Sequence, residues 1–242
     1  MLYGNRQVDD RFVVCGRFPY IQNCVADFQR VFRFCSCKAL RAVFKLEISF
    51  CLVSQFFDRF GGQDTLIYVD PAMADNGVLY TGFTPEFAKE MGKLCGKADV
   101  IVPNLTEASF MLGVDYVGEN YDEAYIRDLL KQLTGLGCKT AVLTGVSFAP
   151  GQIGAMAYDA ATDTYASYFN EKLPVSFHGT GDVFASACVG ALMNGKDLAG
   201  ALKIAVDYTL ECIRETQNDP DARWYGVNFE SAIPMLVHSL GR

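Results

Sequence analysis

The feature that most constrains the fold is a regular alternation of short apolar runs and amphipathic segments between residues 65 and 145. The runs TLIYVD (65–70), DVIVPN (99–104) and KTAVLTG (139–145) have the composition and length of buried strands. The segments 84–98 and 121–137 between them have helical spacing, and a short helix is expected from about Thr106. This alternation predicts an α/β fold with a mostly parallel central sheet covered by helices on both faces.

Local signals support the predicted helices and a hairpin. Thr84 followed by Pro85 is a typical helix start, and Asp122 is placed to cap the helix that follows it. Residues 152–170 have the pattern of a β-hairpin with a polar turn. Three more helices are expected at about 180–194, 197–217 and 229–240.

The composition changes near residue 52. Residues 1–50 carry eight Lys/Arg and four Asp/Glu, whereas residues 51–242 carry thirteen and twenty-four. Residues 1–50 also show no sustained period of 2 or 3.6, so two short strands or one irregular helix remain open there. We therefore divide the chain into an atypical N-terminal segment, 1–51, and an α/β domain, 52–242.

Charge and cysteine content limit the partners and the compartment. The net charge of −7 argues against nucleic acid or an anionic membrane as the main partner. The nine cysteines are scattered without metal-site spacing, as is typical of reduced thiols. With no apolar leader or membrane-spanning run, the chain is expected to be soluble and cytoplasmic.

Each of the three predicted strands ends in a polar cluster: DPAMADNG (70–77), PNLTEA (103–108) and LTG (143–145). In such sheets, ligands bind beyond the carboxyl ends of the strands. Asp70, Asp75 and Glu107 offer the oxygen ligands that Mg²⁺ prefers, and Asn104 could orient a bound water. Any one of these acids is more often a turn former or a helix cap, but their joint placement favours a site.

A fourth cluster, GTGD at residues 179–182, opens a predicted helix. Unpaired N–H groups and the positive end of the helix dipole make such a start an anion site, and glycines allow close approach of a phosphate. Asp182 is either an ordinary helix cap or a base next to the bound phosphate. A cap needs no preceding Gly-Thr-Gly, which favours the base.

Together, these clusters carry a family resemblance. VDPAMADNGVLYTGFTPEFAKEM (69–91), ADVIVPNLTEASFMLG (98–113), VLTGVS (142–147), SYFNEKLP (167–174) and FHGTGDVFAS (177–186) resemble the bacterial pyridoxal kinases of the ribokinase-like superfamily. The resemblance covers about residues 52–242, and the DP-x-M element is shared with hydroxymethylpyrimidine kinases. It implies a ribokinase-like nucleotide-binding domain that uses ATP to phosphorylate the 5′-hydroxyl of pyridoxal and its relatives.

The resemblance also implies roles for individual residues. Asp182 would be the catalytic base, and the anion hole would be formed by Gly179, Thr180 and Gly181. The nucleotide and its cations would be contacted by Asp70, Val102, Asn104, Thr144 and Gly145. Mg²⁺ would be organised by Glu107 and Asp75, often with a monovalent cation, K⁺ or Na⁺. Relatives of this kind are commonly homodimers.

The chain departs from the family pattern at its start. Family members begin with a strand and glycine-containing loops that hold the pyridine ring, and residues 1–51 show no counterpart of them. Loss of that strand would expose an edge of the sheet. Three hypotheses for the function therefore remain: a pyridoxal kinase, a remnant that binds nucleotide without catalysis, and a kinase for hydroxymethylpyrimidine or another small alcohol.

Overall fold

The structure is a computed structural model, and it describes residues 12–15, 46–62, 64–223 and 226–242. The strands of its main sheet are β1 (Phe12–Cys15), β2 (Leu66–Val69), β5 (Val100–Ile101), β6 (Thr140–Val146), β7 (Gln152–Asp159) and β8 (Thr164–Glu171). A separate small hairpin consists of β3 (Ala74–Asp75) and β4 (Val78–Leu79). The helices are α1 (Leu46–Phe60), α2 (Pro85–Cys95), α3 (Leu105–Leu112), α4 (Glu123–Thr134), α5 (Thr180–Met193), α6 (Leu198–Asn218) and α7 (Ile233–Ser239).

The main sheet has the strand order β1-β2-β5-β6-β7-β8. The first four of these strands are parallel to one another, and β7 and β8 complete the sheet in antiparallel fashion. The predicted α/β fold with a mostly parallel sheet is therefore confirmed, as is the hairpin formed by β7 and β8.

Alternating side chains of the sheet enter two cores. On one face, Ile67 and Val69 pack with residues of α1 to α4, and on the other Tyr68 packs with residues of α5, α6 and α7. This alternation is the two-residue period of a strand that is buried on both sides. The helices thus cover both faces, as the sequence predicts.

Most predicted helix limits agree with the structure. The Thr84 hydroxyl caps α2 by accepting the N–H of Phe87, and the Asp122 carboxylate caps α4 by accepting the N–H of Tyr125. The last helix is the exception, because α7 begins only at Ile233 rather than near residue 229.

The N-terminal region differs from the expectation. β1 pairs in parallel with β2, so β2 does not form an exposed sheet edge. Helix α1 also begins at Leu46 and continues through residue 51, the proposed limit of the N-terminal segment. Position 51 therefore falls within one continuous helix. The rest of the predicted N-terminal segment lies outside the described residues.

Candidate active site

The carboxyl ends of β2, β5 and β6 lie side by side at one end of the strands, which we call the rim. These strands are neighbours and parallel, so the residues that follow them come together in space. Asn104 and Thr144 form a parallel bridge there, and the Thr144 N–H donates to the Pro103 carbonyl at 3.1 Å. The second and third polar clusters of the sequence are thus in contact.

Glu107 connects the rim to the segment that follows β2. It lies in the first turn of α3 and is only 3% exposed. Its Oε1 accepts the N–H of Met73 at 2.9 Å and that of Ala74 at 3.4 Å, and its Oε2 accepts the N–H of Asn104 at 2.9 Å. This carboxylate therefore links the first polar cluster to the second.

Asn104 strengthens the same connection from the helix cap. Its Oδ1 accepts the N–H of Glu107 at 2.9 Å, which closes a capping box, and its Nδ2 donates to the Ala74 carbonyl at 2.8 Å. Both ends of this amide are thus used to fix α3 and the segment after β2 against each other.

The carboxylates at the rim repel one another. Burial, followed by the charge of Asp70, raises the pKa of Glu107 well above its usual range, although three backbone N–H groups act in the opposite direction. Burial and then the charge of Asp182 raise the pKa of Asp70, and the Ala72 N–H opposes this shift. The pKa of Asp70 thus responds to the charge of Asp182, which comes from a polar cluster much further along the chain.

The GTGD cluster forms the start of α5, as expected. Gly179 is the N-cap residue with φ of +85°, a conformation that favours glycine, and no side chain caps this helix end. Asp182 lies in the first turn and is exposed. A helix N-terminus without a side-chain cap offers backbone N–H groups to an anion beside this carboxylate.

Gly145 provides a second open backbone position at the rim. It interrupts the pairing of β6 with β7 between Thr144 and Val146, and its φ is +71°. A Cβ atom built on Gly145 would meet nothing within 4 Å. Its backbone thus faces open space in which a ligand can approach closely.

Two predicted site residues have other surroundings. Asp75 is exposed on the small hairpin, where its carboxylate accepts bonds from the backbone and side chain of Asn76. The Val102 side chain is buried in the core, and its N–H donates to the Val69 carbonyl at 3.0 Å. Across the described residues, no group of three or more His, Cys, Asp or Glu side chains is arranged to hold a metal ion.

Three residues that no sequence motif predicted also form bonds at the rim: Met73, Ala74 and Thr106. Met73 and Ala74 contribute backbone N–H groups, which no side-chain pattern could reveal. Thr106 accepts the N–H of Gly77 through its hydroxyl at 3.0 Å. In the sequence, only its position beside Glu107, just after a predicted strand, indicates that Thr106 could belong to the site.

A cavity of about 540 Å³ lies at the other end of the same strands. It is lined by Leu66, Val100 and Thr140, with which β2, β5 and β6 begin. The carboxylate of Asp99 in this cavity has structural partners: it accepts the N–H of Ile67 at 2.7 Å and forms a salt bridge with Lys139 at 2.7 Å. The convergence of carboxylates and open backbone makes the rim the better candidate for the active site.

The similarity of this chain to known proteins agrees with the geometry. A pyridoxal kinase of Dictyostelium discoideum is 30% identical over 63% of this chain and 53% of its own length. A hydroxymethylpyrimidine/phosphomethylpyrimidine kinase of Haemophilus influenzae is 27% identical over 77% of this chain and 68% of its own. The chain thus spans about half the length of the first of these relatives.

A solved structure is similar over a comparable range. A candidate phosphomethylpyrimidine kinase of Bacteroides thetaiotaomicron, crystallised with pyridoxal, has a TM-score of 0.73 and 34% identity, covering 78% of this chain and 66% of its own.

No helix within the described ranges is long and apolar enough to cross a membrane.

The family profile for phosphomethylpyrimidine kinase matches residues 49–223, which include all four polar clusters. The predicted resemblance and ribokinase-like fold are thereby confirmed. Through this match the chain belongs to the phosphomethylpyrimidine kinase family.

Proposed function

We propose that this chain is an ATP-dependent kinase that phosphorylates the 5′-hydroxyl of pyridoxal, pyridoxine or pyridoxamine. The observation that carries the proposal is the position of Asp182 in the first turn of α5, a helix end without a side-chain cap, and its charge also acts on Asp70. If this helix end binds the phosphoryl group that is transferred, the substrate hydroxyl that accepts this group would lie next to the carboxylate of Asp182.

In this mechanism, the oxygen of the substrate hydroxyl attacks the terminal phosphorus of ATP while Asp182 accepts the hydroxyl proton, and the bond from that phosphorus to the bridging oxygen breaks to release ADP. The backbone N–H groups of Thr180 and Gly181, with the helix dipole, stabilise negative charge on the phosphoryl oxygens. Thr144 and Gly145 contact the remaining phosphates from β6. Asn104, the N-cap residue of α3, borders this site, and Val102 would line it through its backbone alone.

The donor set at the rim fits a Mg²⁺ ion. Burial and then the charge of Asp70 raise the pKa of Glu107, and a cation beside these carboxylates would favour their charged forms. Mg²⁺ usually takes one or two carboxylates and keeps several waters, so a group of three protein ligands is not required. When bound, it would neutralise charge on the phosphates. Asp75 and a K⁺ or Na⁺ ion remain predictions from the resemblance.

A second candidate substrate is a hydroxymethylpyrimidine. The family profile and the Haemophilus relative favour it, whereas the Dictyostelium relative and the Bacteroides structure with pyridoxal favour vitamin B6 compounds. Comparing kcat/KM for pyridoxal, pyridoxine and hydroxymethylpyrimidine would decide between them. If ATP binds but no alcohol is phosphorylated, the chain is a nucleotide-binding remnant.

The direct test replaces the proposed base. Asp182→Asn should lower kcat at least about a hundredfold while leaving the Kd of a non-hydrolysable ATP analogue within a few-fold of wild type. Glu123→Gln is the matched control, because Glu123 is an exposed acid in the first turn of α4. A D182N variant with wild-type turnover would disprove the assignment.

A further inference from the structure

The small hairpin of β3 and β4 is buried at its start, where Ala74 is 0% exposed, and exposed at its tip, which includes Asp75 and Asn76. Val78 is 65% exposed, and the hairpin pairs through only two residues of each strand. Since the hairpin continues directly from Asp70 and carries Asp75, its position affects the carboxylates of the candidate site. The bonds that fix it therefore bear on function.

The first turn of α3 provides those bonds. Glu107 accepts the N–H groups of Met73 and Ala74, and Asn104 donates to the Ala74 carbonyl. These contacts hold the beginning of the hairpin. The turn at its far end is held separately by Thr106.

Thr106 is well placed for this purpose. Its side chain is buried, at 2% exposure, and its hydroxyl accepts the Gly77 N–H at 3.0 Å. On another side, a Cβ atom added to Gly77 would lie 2.7 Å from the ring of Tyr116. The turn is thus confined between a hydrogen-bond acceptor and an aromatic ring.

The segment between β2 and β3 also contains a strained backbone conformation, at Ala72. Ala72 has φ of +27°, a region that residues with a side chain rarely adopt. Its neighbour Met73 is held through the bond to Glu107. A strained segment with little buried surface at its tip depends on each remaining bond to stay in place.

We propose that Thr106 is a positioning residue of this site: by accepting the Gly77 N–H, it fixes the hairpin and the segment carrying Asp70 and Asp75 on the first turn of α3. The proposal rests on the kinase function for its effect on turnover. Its effect on the hairpin itself is independent of catalysis, and the two can be measured separately.

The first measurement is hydrogen exchange of the amides of residues 73–80 in the full chain. Thr106→Val keeps the shape of the side chain and removes the acceptor, so exchange should become about tenfold faster. Thr106→Ser keeps a hydroxyl and should restore protection to within about threefold of wild type.

The matched control is Ser109→Ala in the same helix. Ser109 is equally buried, but its hydroxyl donates to the Leu105 carbonyl within α3 at 2.8 Å. This variant should leave exchange at residues 73–80 unchanged. Unchanged exchange in T106V, or equal acceleration in S109A, would overturn the proposal.

The second measurement separates kcat from KM. T106V should lower kcat for pyridoxal about tenfold while leaving the KM for ATP within about threefold, because the proposed phosphate contacts lie on β6 and α5; T106S should recover most of the rate. Faster exchange with unchanged kcat would show that the hairpin does not position the site. If the wild-type chain phosphorylates no acceptor, the kinase proposal fails, and exchange alone decides the role of Thr106.

Discussion

Glu107 and Met73 are 34 positions apart in the sequence, yet the carboxylate of one accepts the backbone N–H of the other at 2.9 Å. The bond joins the first turn of α3 to the segment that follows β2. Because each of these parts carries residues of the candidate site, Glu107 holds two parts of that candidate site together.

This bond predicts a large stability effect for Glu107→Ala. Three backbone N–H groups would lose their acceptor in or near the protein interior, and relief of the repulsion from Asp70 would offset only part of this loss. We expect the free energy of unfolding in urea to fall by about 3 kcal/mol. The exposed Glu123→Ala should lower it by less than about 0.5 kcal/mol. Equal effects of the two substitutions would contradict this account of Glu107.

The raised pKa values of Asp70 and Glu107 predict that stability depends on pH. They reach about 7 for Asp70 and about 8 for Glu107 in the folded chain, above the ordinary values expected after unfolding. The folded state therefore binds more protons in this window, so its stability should fall as the pH rises from about 5 to about 8.5. Urea unfolding across this range without divalent cations would measure the slope.

Asp70→Asn tests the origin of this slope. Without the charge of Asp70, the carboxyl of Glu107 loses a repulsive neighbour, so the pH dependence should become flatter. At about pH 8 the variant should be more stable than wild type, by about 1 kcal/mol. The exposed Asp128→Asn is the control and should keep the wild-type slope. A steeper slope in D70N would mean that other groups control the titration.

Alanine at position 145 should be tolerated by the fold but should weaken binding at the proposed nucleotide site. Alanine at φ of +71° is strained by about 1 kcal/mol, and its Cβ would enter the open space at the rim. Gly118→Ala is closely matched, with φ of +62° and nothing within 4 Å of an added Cβ. Both variants should lose similar stability, whereas only G145A should weaken binding of an ATP analogue in calorimetry, by about tenfold or more. Similar affinities in the two variants would remove Gly145 from the phosphate contacts.

Ala72→Gly should stabilise the chain, which is unusual for this substitution. Glycine adopts φ of +27° easily, and the strain released should exceed the entropy that glycine adds to the unfolded state, for a net gain of up to about 1 kcal/mol. Ala161→Gly, in a turn where alanine has no positive φ, should instead lose about 0.5–1 kcal/mol. Thermal unfolding of both variants would show whether the signs are opposite.

The layout of the domain could be predicted from local signals. Apolar runs of strand length, caps such as Thr84 and Asp122 and the glycine after α4 place β2, α2 and α4 nearly where the structure has them. The convergence of the polar clusters also follows from topology, because parallel neighbouring strands must end at one edge.

The partners of the site residues could not be predicted in the same way. The bonds of Glu107 to Met73 and Ala74 go to backbone N–H groups, which carry no sequence signature, and nothing in the sequence indicates that the Thr106 hydroxyl accepts the N–H of Gly77. β1 has only four residues and is supported by pairing with β2, so no local period could identify it.

The direction of β1 has a practical consequence for work on this chain. Cys15 pairs with Val69, the residue before Asp70, and adjacent strands lie only about 5 Å apart. The backbone of Cys15 therefore lies beside the start of the segment that carries the proposed chemistry. An isotope label in the Cys15 amide, although remote along the polypeptide, would report on the neighbourhood of Asp70.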